Sequence, residues 1–407
     1  MYSDLPLDYR NTFDRYLFQF KCIGIDFFDK SISYLNRNSV KFIVFVLSFY
    51  PFMFGQFTLI SHITAESFLE TVRVVPVNLM FFINVVKMAI ALIRKADIRN
   101  MIVDVGELWP KHLEAGDPKA AILKAWLRQI KIPLDLFFKY AVINLALFEM
   151  VPLLMTLFKM SQGVVEYELP FQPPNWWEVN SLFRYLLTYL WMVVAATPVQ
   201  MCLYLPFDLT VVVMTSNVSA LFRLLQVDLE TAIKIHDGEH PMKEDIHVAD
   251  PDSYEEVKRI VKIHQRLLRI AEQLSKIFGV VIFIHMVSAS LVICFFGFLA
   301  VVYSGLADTI ANLMTVFNAM TTIFFLTLSG QFLCDTSSQI ADAAYQSYWY
   351  ESNLKVKKLI LTIIIRAQRP SYLSALGFSE LTLGSFSKII SSAWTYFSLL
   401  IQVYEES

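Results

Sequence analysis

Gly384, Lys388, Ser391, Thr395, Ser398 and Gln402 recur at steps of four, three, four, three and four in an otherwise apolar stretch. On a helix that spacing makes one polar stripe. Inside a bilayer such a stripe needs either water or another helix against it. Water means a pore, and neutral hydroxyls with an amide suit a weakly selective one. A helix partner means a packed polar seam. The residues alone leave both readings open. Glu149 also lies in an apolar run, where a carboxylate contacts a polar ligand or a buried partner. His285 stands in another, with no carboxylate near it in sequence, and reads as a helix–helix hydrogen bond rather than a catalyst. Lys87 and Lys139 are expected to snorkel towards the cytoplasm. Asp208 is expected to order a helix end or a subunit contact. The segment His236-Asp-Gly-Glu-His240, with His247 beyond it, reads as a solvated loop rather than a metal site. No HExxH, GxSxG or Walker pattern occurs and the four cysteines form no CxxC. No enzyme, metal or cofactor is therefore expected, and a net charge of −2 gives no case for a nucleic-acid partner.

The elements that carry these residues are membrane helices. The chain has 407 residues, 56% of them hydrophobic and only 17% charged. Soluble domains usually carry about 25% charge. Crossing a bilayer takes about 20 residues of helix. Seven windows qualify: 42–60, 74–93, 132–158, 185–207, 277–307, 309–334 and 383–404. They lack the period-2 polar face of a barrel strand, so helices are expected. The basic residues alternate between connections. The segments 1–38, 94–131, 215–276 and 346–382 hold 27 Lys and Arg, whereas the other set holds only Arg73 and Lys159. By the positive-inside rule the N-terminus is cytoplasmic and the C-terminus extracellular. A G-protein-coupled receptor has the opposite orientation. Residues 1–38 are mixed and charged, so the first span is expected to act as a signal anchor. The sequon at Asn217 then falls in the cytoplasm and is expected to be unmodified. Loop 159–180, with Trp176 and Trp177, reads as an interface anchor in preference to a lid over an extracellular opening. Ile260, Ile263, Leu267 and Ile270 recur at helical spacing, so the fifth span is expected to continue beyond the membrane as one long helix.

Residues 330–402 resemble the insect odorant receptor family. The resemblance rests on Gly330, Cys334, Ser337-Ser338, Ile340-Ala341, Tyr345, Trp349, Lys357-Lys358, Arg366-Ala-Gln-Arg-Pro370, Gly377-Phe378, Leu383, Phe386 and Tyr396, in that order over about 70 positions. The tail Thr395–Gln402 is also similar to the ending of insect gustatory receptors, although Val403 replaces the usual Phe. The chain lacks the extra cytoplasmic insertion of the odorant co-receptor and so resembles an odour-tuning subunit.

The resemblance implies an all-α, seven-transmembrane ion-channel subunit: an odorant-gated, non-selective cation channel in the plasma membrane of sensory neuron dendrites. Its partners would be co-receptor subunits in a tetramer, a small neutral volatile and the lipid bilayer. The alternative is a gustatory-type cation channel acting without the co-receptor. The implied organisation is helices 1–4 with the N-terminal segment in 1–214, a cytoplasmic helical segment in 215–276 and helices 5–6 in 277–345. An assembly anchor in 346–382 and the pore helix in 383–407 complete it. Leu399 and Val403 fall on the family's apolar gate positions, beside Gln402, with Ser398 and Thr395 as further lining candidates. Leu399 and Val403 lie about 80–100° around the helix from the polar stripe. The family's pocket depth points to Met80, Phe81 and Asn84, to Phe148, Val151 and Met155, to Tyr185, Tyr189 and Met192, and to Thr315, Asn318 and Thr322 as ligand-binding candidates.

Overall fold

The computed structural model describes residues 2–29, 37–61, 68–111, 117–171, 173, 177–233, 251–302 and 305–406. The 236–247 histidine loop and Trp176 lie outside these residues. Eleven α-helices are found among them. The long ones are α2 (Arg37–Ser61), α3 (Phe68–Ile93), α5 (Pro118–Ser161), α6 (Leu182–Val199) continuing into α7 (Leu205–Thr231), α8 (Pro251–Val302), α9 (Leu306–Gln346) and α11 (Leu383–Glu406). These match the seven expected spans. Five of the helical stretches are long and apolar enough to cross a membrane, among the described residues.

Three shorter helices pack against the bundle. In α1 (Leu7–Cys22), Tyr9, Phe13, Tyr16, Leu17 and Phe20 are buried, one stripe of an amphipathic helix. The Tyr9 hydroxyl donates to the Ile102 carbonyl of α4 (Lys95–Leu108) at 2.7 Å. Helix α10 (Leu354–Ala367) is capped by Asn353, whose side chain accepts from the Val356 N–H at 3.0 Å. Asp117 caps α5 in the same way, ahead of Pro118.

Helix α8 is the single long helix expected over the fifth span, 52 residues without an internal proline. Prolines do fall inside α3 (Pro76), α5 (Pro133, Pro152) and α6 (Pro198). Proline removes a helix N–H and its ring crowds the carbonyl four residues back. Immediately after Pro198 the backbone makes a π-helical turn over Gln200–Tyr204 before α7 resumes. That turn re-aims Tyr204 and Asp208 relative to the helix above.

The connection from α10 to α11 contains a two-residue hairpin, β1 (Ser374–Ala375) against β2 (Ser379–Glu380). It crosses α8 and α9 at glycines. A Cβ on Gly330 would run into the Leu381 carbonyl, and one on Gly279 would meet the Ser374 carbonyl at 3.0 Å. Gly330 belongs to the set of residues that carries the family resemblance, and the close backbone approach is its physical reason.

Candidate ligand and pore sites

Helix α11 turns one face to its own subunit. Ser385, Ile389 and Ala393 are buried, and Phe298 of α8 packs on Tyr404 with ring centroids 5.6 Å apart. All six residues of the polar stripe are exposed, and so are Leu399 and Val403. The polar stripe is therefore not a seam within the subunit. The stripe and the two apolar positions share one broad open arc, which removes the conflict between them. Thr395 and Ser398 donate to the carbonyls of Ser391 and Trp394 at 3.0 Å each. Their hydroxyl protons are thus satisfied within the helix while their lone pairs face outward. The Gln402 amide donates to Glu406 at 3.3 Å.

The ligand candidates separate into two groups. The first gathers under the connection between α5 and α6. Phe171 of that connection lies 6.0 Å from Phe81 and 5.2 Å from Phe148, bridging α3 and α5. Tyr167 stacks on Tyr185 at 5.1 Å, and Tyr185 lies 6.0 Å from Tyr189. The Tyr189 hydroxyl donates to the Glu149 carbonyl at 2.8 Å. Glu149 itself accepts from Thr197 at 2.6 Å, so its partner is a neighbouring helix hydroxyl. Met192 is buried, Met80 and Val151 are half-buried and Met155 is exposed. Two polar atoms in this region are buried without a hydrogen-bond partner: the Asn84 Oδ1 and the Tyr185 hydroxyl. The Tyr185 hydroxyl lies beside Thr156 but out of hydrogen-bond geometry. The connection folds back over the helices and is more than an interface anchor. Lys159 holds it through Glu166 at 2.7 Å and Glu168 at 2.6 Å, and Trp177 donates to Thr188 at 2.8 Å.

The second group sits on α9. The Thr315 hydroxyl donates to Ala311 and that of Thr322 to Asn318, each within the helix. Asn318 and Thr322 are buried. The tie from this helix to α5 runs through Tyr140 and Asn144, which both donate to the Met314 carbonyl. Among the described residues no hydrogen bond or ring contact joins the aromatic group to Thr315, Asn318 or Thr322. Two surface clefts, one beside the α10–α11 connection and one along residues 121–133 of α5, lie away from all twelve candidates.

One turn from Asn84 lies a charged cluster that the sequence did not reveal. The Lys87 side chain is wholly buried and its Nζ lies 2.7 Å from Asp208 Oδ2. The same ammonium sits 3.7 Å from the centre of the Tyr204 ring. His285 Nδ1 is 3.5 Å from Asp208 Oδ1. Lys87 therefore does not snorkel: a carboxylate within reach outweighs the pull of a distant interface. Asp208 joins α7 to α3 and α8 rather than ordering a helix end. His285 does have a carboxylate beside it, from another helix. Asn217 is buried too, donating to Thr12 at 3.0 Å.

A family model described as 7tm odorant receptor matches residues 67–394. The chain belongs to the odorant receptor family. Putative odorant receptor 92a of Drosophila melanogaster is 24% identical over 395 residues, 95% of this chain and 93% of that protein. Putative odorant receptor 85d of the same fly is 32% identical over 162 residues, 39% of each chain. The solved insect olfactory receptor OR5 from Machilis hrabei, in complex with eugenol, superposes with a TM-score of 0.79 at 13% identity, covering 97% of this chain and all of that one. The resemblance of residues 330–402 and the all-α, seven-span fold are thus confirmed for this odorant receptor. It is a membrane protein of a family of odorant-sensing channel subunits, not of enzymes.

Proposed function

We propose that this odorant receptor is an odour-tuning subunit of a ligand-gated, non-selective cation channel, opening a tetrameric pore together with the odorant co-receptor. The observation that carries the reading is the open arc of α11. Lys388, Ser391, Thr395, Ser398 and Gln402 stand on it with Leu399 and Val403, uncovered by the rest of the subunit. A row of hydroxyls, an amide and a lysine is better matched by water or a second subunit than by hydrocarbon. Leu399 and Val403 then serve as an apolar constriction that closes by dewetting, with Gln402 beside it and Ser398 and Thr395 wetting the path below. The orientation that fits has the N-terminus in the cytoplasm and α11 ending outside. The α10 region, with Leu354, Leu361 and Ile365 exposed, supplies an apolar assembly surface.

The ligand site in this reading is the aromatic group around Phe81, Phe148, Tyr185 and Tyr189, lidded by Phe171. Met80, Asn84, Val151, Met155 and Met192 complete its walls. Thr315, Asn318 and Thr322 would approach from α9. Phe, Tyr and Met surroundings suit a small neutral volatile. The unpartnered Asn84 Oδ1 offers a ligand hydroxyl one acceptor. The relative from Machilis that takes up eugenol binds a ligand of this size and chemistry. A volatile of about ten heavy atoms gains about 5–8 kcal/mol, which is micromolar or weaker. Driving a gate from 1% to 99% open takes about 5.5 kcal/mol of state-selective affinity. One bound odorant therefore either opens the pore incompletely or shares control of it with the other subunits.

The test is voltage clamp of cells expressing this chain with and without a co-receptor, against a panel of volatiles. Odour-evoked cation current that needs both subunits is expected. Cysteines at Ser398 and Leu399 should be modified by a charged thiol reagent from the outside in the open state. Odour responses that persist without any co-receptor, or that run through a G protein, would defeat the reading.

A further inference from the structure

A cleft of about 630 Å³ opens between α8 and the connection from α10 to α11. Arg269, Glu272 and Ser275 of α8 form one wall, with Arg366, Ser371 and Tyr372 facing them. Glu272 is engaged by Lys276 at 2.7 Å. Among the described residues neither Arg269 nor Arg366 pairs with a carboxylate. Arg269 donates one N–H to the Gln265 carbonyl and Arg366 one to the Arg369 carbonyl. A guanidinium has five donors, so most of each fork is left for an oxyanion.

The depth of the cleft is set by α8. Its charge-free run begins at Ile277, two residues beyond Ser275. The cleft thus lies where phospholipid headgroups lie, on the face of the bundle flanked by basic residues. The hairpin rises from its wall along the first turns of that run. Gly279 lies against the Ser374 carbonyl, and the Phe378 ring is 5.4 Å from Phe283. At the hairpin tip Leu376 is 50% exposed and Phe378 79% exposed. Leu376 holds a φ of 54°, a left-handed conformation uncommon for any residue with a Cβ. A strained backbone thus presents two large apolar side chains beside an exposed Val280, at the level of the acyl chains.

We propose that the cleft and hairpin together bind one anionic phospholipid, with its phosphate on Arg269 and Arg366 and its acyl chains along Leu376, Phe378 and Val280. Basic pockets at the end of membrane helices suit such headgroups. A free phosphate would use the arginines and leave the apolar tip without purpose. The site joins α8 to the segment that leads into α11, so an occupant ties the two together.

The test uses the purified full-length receptor assembly in mixed micelles and a fluorescent phosphatidylserine, competed by unlabelled phosphatidylserine, phosphatidylcholine or soluble glycerophosphoserine. Phosphatidylserine should compete at least tenfold better than phosphatidylcholine. R269Q should weaken it about fivefold, the scale of one interfacial basic residue, and R269Q/R366Q should abolish the preference. F378S should weaken the diacyl lipid and leave glycerophosphoserine competition unchanged. If the double variant does not fold, R269Q alone decides, because its side chain is exposed and its one helix hydrogen bond is peripheral. Wild-type binding by R269Q, equal competition by the two diacyl lipids, or glycerophosphoserine competing as well as the diacyl lipid would each overturn the proposal.

Discussion

Replacing Asp208 by Asn tests the buried cluster most directly. The substitution keeps size and shape and removes one negative charge. The Lys87 ammonium then remains fully buried, with the Tyr204 ring at 3.7 Å and the Tyr204 carbonyl at 3.5 Å as its remaining attractions. Breaking one side of a buried pair costs about 3–5 kcal/mol, because the surviving charge stays desolvated. The ring attraction is present before and after the substitution, so it does not offset that cost. A loss of about 3–5 kcal/mol is expected for D208N. Removing the cation as well, in K87M/D208N, should restore stability to within about 1 kcal/mol of the parent, since a packed apolar chain replaces a charge that no longer needs a partner. The new Asn can also hydrogen-bond His285. The assay is SDS unfolding in mixed micelles, followed by far-ultraviolet circular dichroism, for the parent, both single variants and the double variant. The cycle should show a coupling larger than the cost of D208N alone, because each single variant strands one buried charge and the double variant strands none. Near-parental stability for D208N, or a double variant as unstable as the sum of the singles, would refute the buried pair.

Three further outcomes follow from the same packing. G330A should cost about 1–3 kcal/mol or more, because a new methyl meets the Leu381 carbonyl and neither backbone can yield; surface expression and thermal stability would read it. His264 is buried against Phe222 with Nε2 unpartnered, and burial, aided by Arg366, lowers its pKa to about 4 from 6.5. The unfolded chain then binds a proton that the folded one refuses between those values, so stability falls as the pH drops from about 6.5 towards 4, by about 3 kcal/mol at the limit; H264F should flatten that acid limb of the unfolding profile. F171A should open the aromatic lid and raise the odorant concentration for half-maximal current about three- to tenfold, the scale of a lost aromatic pair, while leaving the unliganded current unchanged.

The spans were legible because lipid imposes a continuous apolar run that a sequence window detects directly. The exposed arc of α11 was legible for a similar reason: its polar residues repeat on one helix and need no partner to be seen. The buried cluster was not, since Lys87 and Asp208 are 121 residues apart and nothing local to either marks the other. The one available signal was their common depth in neighbouring spans. The π turn was similarly hidden, although Pro198 and Pro206 bracket it. Phe171 escaped notice because its role depends on a loop folding back across two helices. In the α9 candidates, depth alone chose the residues, and depth says nothing of which face of the helix they occupy.

An unbroken α8 of 52 residues is a rod about 78 Å long at 1.5 Å per residue. It lies against α3 and the charged cluster near its middle, against α11 towards one end and against α10 and the hairpin towards the other. With no proline hinge along it, a tilt of about 5° at one end would swing the other by about 7 Å. The two ends of this subunit therefore share one lever, and whatever displaces the α3 contact is felt at both.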